Sequence, residues 1–395
     1  MLRASRFRLA AIFLGGSLAV SGCTPTVTTQ GPPAPGQGGQ SPTAAVEREF
    51  AADQQVTVAL LAPSSAPRAA AVGKALVNAA RMAMSERADP LLQLRVYDTG
   101  GNVTQARLAA EKAISDGAMV ILGPLFGANA KAVAEPAATA GVKVLSFSTD
   151  ASAAGDPVYL TGFLPEVAAE RIANFARARG MGSIGVFYPN NPYGAAANTG
   201  VGRAVGTNVV ARAEYQRTND GITQGTRAFA ADARASGATA VLIADSGQAL
   251  KYVAALMENY GISPRQVKYL GLGEWNSRAT LTEPALQGGW FAAPDPTAVR
   301  AFVERYEANF GSVPPLQAVL AYDAVNIVAV LTAEARVSGA PPFSTEALTR
   351  GRGFKGAVGP VALGSDGIAR RGMAILEVGE GVFTVVDPVP VGVGS

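Results

Sequence analysis

The stretch Val56-Thr57-Val58-Ala59-Leu60-Leu61, closed by Pro63, is a short apolar run, and the residues that follow change period. From Ala66 to Arg87, Val72, Leu76, Ala79 and Ala83 recur at helical spacing. A strand feeding a helix is therefore predicted. The unit repeats along the chain. Leu92 to Tyr97, Met119 to Leu122 and Val142 to Phe147 read as strands, and Thr104 to Ser115 and Ala128 to Ala140 read as the helices between them. Apolar strands alternating with amphipathic helices imply a parallel sheet covered on both faces.

After a strand at Val158 to Thr161 the rhythm restarts with a helix from Glu166 to Arg179. Strands follow at Ser183 to Tyr188, Val209 to Tyr215, Thr239 to Ala244 and Val267 to Leu272, each separated by a helix. The predicted fold class is α/β, with two doubly wound parallel-sheet lobes joined by a hinge. Lobe 1 is expected over about 56–160 plus about 296–388, and lobe 2 over about 162–290. Helices at Thr297 to Phe310 and Leu316 to Ala335 carry no strand between them, and short strands near Val358 to Leu363, Met373 to Val378 and Val382 to Val386 are expected to complete the first lobe and the hinge. In open α/β sheets ligands bind beyond the carboxyl ends of the strands, so two lobes facing each other form a cleft there.

The N-terminus reads as an address. Arg3, Arg6 and Arg8 precede an apolar run from Leu9 to Val20 that is too short for a bilayer core of about 20 helical residues, which is the pattern of a signal peptide over residues 1–22. Val20, Ser21, Gly22 and Cys23 resemble the lipobox of bacterial lipoproteins, with cleavage before Cys23 and lipidation of that residue. Cys23 is the sole cysteine of the chain, so no intramolecular disulfide competes for it. Thr24 after it, rather than Asp, favours the outer over the inner membrane by resemblance to enteric lipoproteins. Residues 23–53 are rich in Pro, Gly, Gln and Thr with little apolar bulk and are expected to be a tether, and 389–395 a tail.

The formal charge of +3 belongs to the leader. Without its three arginines, Lys and Arg balance the 30 acidic side chains, and no cluster of basic and aromatic residues supports nucleic-acid binding. The chain has no histidine, which removes Ser-His-Asp and Cys-His catalysis and histidine-ligated metal sites. Paired carboxylates could still perform acid–base chemistry, but acids lining a binding cleft are the commoner use. The expectation is a non-catalytic binder without cofactor or metal.

Several ordered segments carry a family resemblance: Tyr97 through Asn102, Ile121 through Phe126, Leu145 through Thr149, and Tyr188 through Pro192 with Tyr193 and Gly194. They resemble type I periplasmic binding proteins of the leucine/isoleucine/valine group over about Val56 to Pro388. Gly123 to Phe126, Phe147 to Asp150, Tyr159 to Pro165 and Gly288 to Pro294 are most similar to the penicillin-binding protein activator (LppC-like lipoprotein) branch. The helical-repeat half of the enterobacterial activators is not found in this sequence.

Carried over by position, the resemblance implies a ligand site at Phe126 and Gly127 after one strand, at Ser148, Thr149 and Asp150 after the next, and at Tyr193, Asp245, Ser246 and Glu274 in the second lobe. In the receptors, hydroxyls and helix N-terminal amides hold the ligand carboxylate and an acid accepts its ammonium. This sequence departs from the pattern at two places. Gly127 supplies no hydroxyl where the receptors commonly have Ser, and Asp150 puts a carboxylate where they have Thr. Glu274 is the candidate ammonium partner, against the reading of an exposed loop acid beside Trp275. Tyr188 and Tyr193 could stack on a ligand or pack their loop.

Two functions follow. One is a substrate-binding receptor that delivers a small solute, an amino acid, peptide or cell-wall fragment, to an ABC permease. The other is a lipid-anchored activator of a peptidoglycan synthase.

Overall fold

Strand β1 (Val56–Ala62) is buried along its whole length, and its successive side chains serve opposite faces of one sheet. Val58 and Leu60 join one apolar cluster, while Ala59 and Leu61 join another. That is the two-residue period of a strand covered on both sides. The structure, a computed structural model, describes residues 49–392. The signal peptide, Cys23, most of the tether and the last three residues of the tail lie outside the described residues.

From β1 the chain runs through α1 (Ala70–Arg87), β2 (Leu92–Asp98), α2 (Val103–Ser115), β3 (Ala118–Leu122), α3 (Gly127–Ala140), β4 (Lys143–Ser146) and β5 (Val158–Leu160). These five strands form a parallel sheet in the order β2-β1-β3-β4-β5. The order reverses at β1, so the topological switch point lies between β1 and β3. Asn102 caps α2 by accepting from the amide of Gln105, and that satisfies one of the donors a helix leaves free at its start.

The second lobe continues with α4 (Pro165–Ala178), β6 (Ile184–Pro189), α5 (Pro192–Val205), β7 (Val209–Tyr215), α6 (Asn219–Ala235), β8 (Ala240–Ile243), α7 (Gly247–Asn259), β9 (Lys268–Gly271), α8 (Arg278–Leu281) and β10 (Trp290–Ala293). One face of its sheet packs Phe187, Val241 and Ile243 against Phe229 of α6 and Leu250 of α7. The other packs Ile184, Val186 and Leu242 against Ile172 of α4 and Val201 of α5.

The chain then returns to the first lobe through α9 (Pro296–Phe310) and α10 (Ala318–Ser338), followed by α11 (Thr345–Leu348), β11 (Phe354–Gly356), β12 (Gly359–Leu363) and β13 (Ala369–Arg371). Helix α10 is apolar nearly all round and mostly buried, which makes it a core helix packed beside α1. Strands β11 to β13 form a small antiparallel sheet whose Phe354, Val361 and Leu363 join the same core.

Three expectations are corrected. The last two strands, β14 (Ala374–Val378) and β15 (Phe383–Asp387), were expected in the first lobe but belong to the second, where β14 pairs antiparallel with β10 and β15 with β14. The seven-stranded sheet therefore has the order β15-β14-β10-β9-β8-β6-β7. Strand β10 was not anticipated, and it extends the second lobe past 290 to Ala293. The tether expected as far as Asp53 ends sooner, because Phe50 is buried in the first lobe's core and its amide donates to the Gly339 carbonyl.

The lobes are joined by three crossings: 161–164, 294–295 and 372–373. Arg371, at the last of them, is buried. It donates through Nε to the Thr161 carbonyl at 2.7 Å and through Nη1 to Asp323 of α10 at 2.7 Å. Its guanidinium also lies 4.9 Å from the centre of the Phe163 ring. One side chain thus ties two crossings to the first lobe's core.

Candidate functional site

The carboxyl ends of both sheets meet at one cavity of about 600 Å³. The first lobe lines it with Arg68 and Ala69 after β1, Leu125 and Phe126 after β3, and Phe147 and Thr149 after β4. The second lobe contributes Tyr193 from the first turn of α5, Leu272 to Glu274 and Asn276 after β9, Ala292 near the end of β10 and Pro294 after it. Phe163 and Met373 stand on the crossings, and Leu316, Gln317 and Leu320 come from the approach to α10 and its first turn. The walls are mainly aliphatic and aromatic, with a few polar groups at fixed places, which is the usual composition of a small-molecule site.

Of the residues expected from the sequence, Phe126, Thr149, Tyr193 and Glu274 line this cavity. Tyr193 and Glu274, 81 positions apart, are brought together by α5 and the loop after β9, and the Tyr193 hydroxyl donates to Glu274 Oε2. Burial, and next the Glu274 charge, push the Tyr193 phenol well above its ordinary value, so it remains a donor.

Gly127, Ser148, Asp150, Asp245 and Ser246 are absent from the lining, for reasons the local structure supplies. Ser148 is buried, and its hydroxyl accepts from the Asp150 amide at 3.0 Å. Asp245 is buried at the end of β8, where it accepts from the Tyr215 hydroxyl, from Arg217 Nε at 3.0 Å and from the Ser246 amide at 2.7 Å. The Ser246 carbonyl accepts from Arg217 Nη2 at 3.1 Å. That cluster is complete within itself and fastens β7 to β8. Tyr188 packs against the second lobe's core instead of facing the cavity.

Asp150 caps the short turn at Ala151–Ala153 by accepting from Ser152, and it pairs with Lys131 at 3.0 Å. The Ser152 hydrogen bond, and after it Lys131, hold its carboxyl below the usual range. A Cβ at position 127 would lie 2.5 Å from the Asp150 Cβ and 2.6 Å from its carboxylate oxygen. The glycine at 127 and the aspartate at 150 are thus one steric unit at the start of α3.

Sequence reasoning missed Arg68, Phe147, Phe163 and the start of α10. Arg68 and Phe147 follow strands already recognised, so the strand-end rule would have reached them. Leu316 and Gln317 follow no strand, and that rule says nothing about them.

A family model described as periplasmic binding protein matches residues 55–382. The chain belongs to that family. Membership implies an extracytoplasmic location. Solved periplasmic binding proteins share the fold at low identity. A branched-chain amino acid ABC transporter periplasmic ligand-binding protein from Burkholderia xenovorans is 20% identical with a TM-score of 0.65, over 85% of this chain and 96% of that one. A solute-binding protein of an ABC transporter from Rhodopseudomonas palustris, in complex with 3,4-dihydroxybenzoic acid, is 17% identical with a TM-score of 0.60, over 86% and 98%. A branched-chain amino acid transporter substrate-binding protein from Streptococcus pneumoniae, in complex with isoleucine, is 16% identical with a TM-score of 0.56, over 85% and 100%. No curated protein matches the chain.

Proposed function

We propose that this periplasmic binding protein is the solute-binding component of an ABC transport system, anchored to a membrane through a lipid on Cys23 and delivering its ligand to a permease. The observation that carries the reading is the cavity between the carboxyl ends of the two sheets, apolar over most of its wall and polar at Arg68, Thr149, Gln317 and the Tyr193–Glu274 pair. Its ligand is a solute of amino-acid size with an apolar body and a polar end. The structural neighbours bound to isoleucine and to 3,4-dihydroxybenzoic acid support a ligand of that size.

Thermal melting of the purified protein against amino acids, short peptides, hydroxybenzoates and cell-wall fragments tests the reading. A ligand at 100 times its Kd stabilises the fold by about 2.7 kcal/mol, so a shift with one class supports the receptor. A flat panel would contradict it and return the synthase activator as the better account.

A further inference from the structure

The resemblance to amino-acid receptors places a ligand carboxylate at the start of α3, between that helix and the end of β4. In this chain the place is taken. The Asp150 side chain stands against Gly127, so close that no side chain fits at 127, and its carboxylate oxygens are engaged by Ser152 and Lys131. A ligand carboxylate brought there would meet the ionised Asp150 carboxylate, a like-charge contact that costs affinity.

Arg68 is the one basic side chain that lines the cavity, and it carries no hydrogen bond or ion pair among the described residues. It lies just before α1, and α1 lies alongside α10, which also borders the cavity through Gln317 at its start and Leu320 in its first turn. A guanidinium without a partner at the cavity wall suits a carboxylate, which it binds in two-pronged fashion.

We propose that Asp150 excludes ligand carboxylates from the start of α3 and that Arg68 holds the ligand's carboxylate instead, which makes the ligand an apolar carboxylic acid whose far end offers a hydrogen-bond donor to Glu274. Arg68 and Asp150 together then set specificity. The donor is a hydroxyl or an ammonium, because the Glu274 carboxylate, already accepting from Tyr193, has lone pairs for either.

The inference rests on the receptor reading, and one titration series separates the two. The probes are 4-hydroxybenzoate, isoleucine and their carboxamides, titrated by calorimetry into wild type, Arg68→Gln, Asp150→Ala and the double variant. Wild type is expected to prefer an acid over its amide by at least about tenfold, and Arg68→Gln to erase that ratio, since one charge-assisted contact is lost. Asp150→Ala is expected to keep the preference and, in the double variant, to restore part of it by opening the start of α3. Each ratio is taken within one protein, so a general loss of stability does not mimic it. An acid preference that survives Arg68→Gln, or a wild type that binds amide as well as acid, overturns the inference and leaves the receptor standing. If no probe binds wild type, the inference falls, and if the wider melting panel is flat as well, the receptor falls with it.

Discussion

Arg371 and Asp323 face each other at 2.7 Å with both side chains out of solvent, and they do so where the chain crosses between lobes for the third time. Burial pushes the Asp323 carboxyl up, against the pull of Arg371 and of the Ala357 amide that donates to its other oxygen at 2.7 Å. Taking one charge away leaves the other buried without compensation. Arg371→Leu is therefore expected to cost about 3–5 kcal/mol in urea denaturation. The double variant Arg371→Leu with Asp323→Leu should recover much of that loss, and a double variant destabilised by the sum of the two single losses would show that the pair is not coupled.

Helices α4 and α5 pack against each other where Gly200 meets the Glu166 carbonyl oxygen, and any Cβ at 200 would overlap that atom. Gly200→Ala should cost about 1–3 kcal/mol through overpacking, despite the better helix propensity of alanine. Unchanged stability would mean that the two helices separate without penalty.

Glu166 itself gives a pH dependence. It is 2% exposed, and neither carboxylate oxygen has a hydrogen-bond partner. Burial raises its carboxyl above the ordinary value, while Arg203 lowers it and Asp150 raises it further. As pH rises from the ordinary carboxylate range toward the folded-state value, the unfolded chain releases a proton that the folded chain keeps, so the contribution of Glu166 to stability declines across that window. Glu166→Gln should remove the decline. Its stability relative to wild type should be higher at pH 7 than at pH 4, and a difference independent of pH would contradict the assignment.

At the cavity, Glu274→Ala removes an acceptor that is charged and exposed to ligand. Affinity should fall about 10- to 100-fold, the range for a hydrogen bond to a charged group. Tyr193→Phe keeps the ring that forms the wall and loses the hydroxyl that holds Glu274, so its effect should be smaller and of the same sign. Titration calorimetry with the ligand found by melting reads both, and a larger loss for Tyr193→Phe would reverse the assigned roles.

The sequence made the two-lobed plan legible because a parallel strand buried on both faces is a continuous apolar run, as at Val56 to Leu61, and because the helices between such runs keep their own period. It misled at β14 and β15, since nothing local in Met373 to Val378 says that it pairs antiparallel with a strand some eighty residues earlier. That partner, Trp290–Ala293, was itself hidden, being only four residues long. The convergence of Tyr193 with Glu274 followed from strand ends. The closure of the α3 start did not, because the departure at Gly127 and the departure at Asp150 read as two separate changes until the structure brings the side chain of one into the space vacated by the other.

The central claim is that the cleft between the lobes is where a small solute binds. Titration of the ligand found by melting into wild type, Glu274→Ala and Arg107→Ala tests it most directly, since Arg107 pairs on the surface with Glu111 and Glu135 and does not line the cavity. The account predicts saturable binding by wild type and Arg107→Ala alike, weakened at least about tenfold in Glu274→Ala. Equal binding by all three proteins would contradict it.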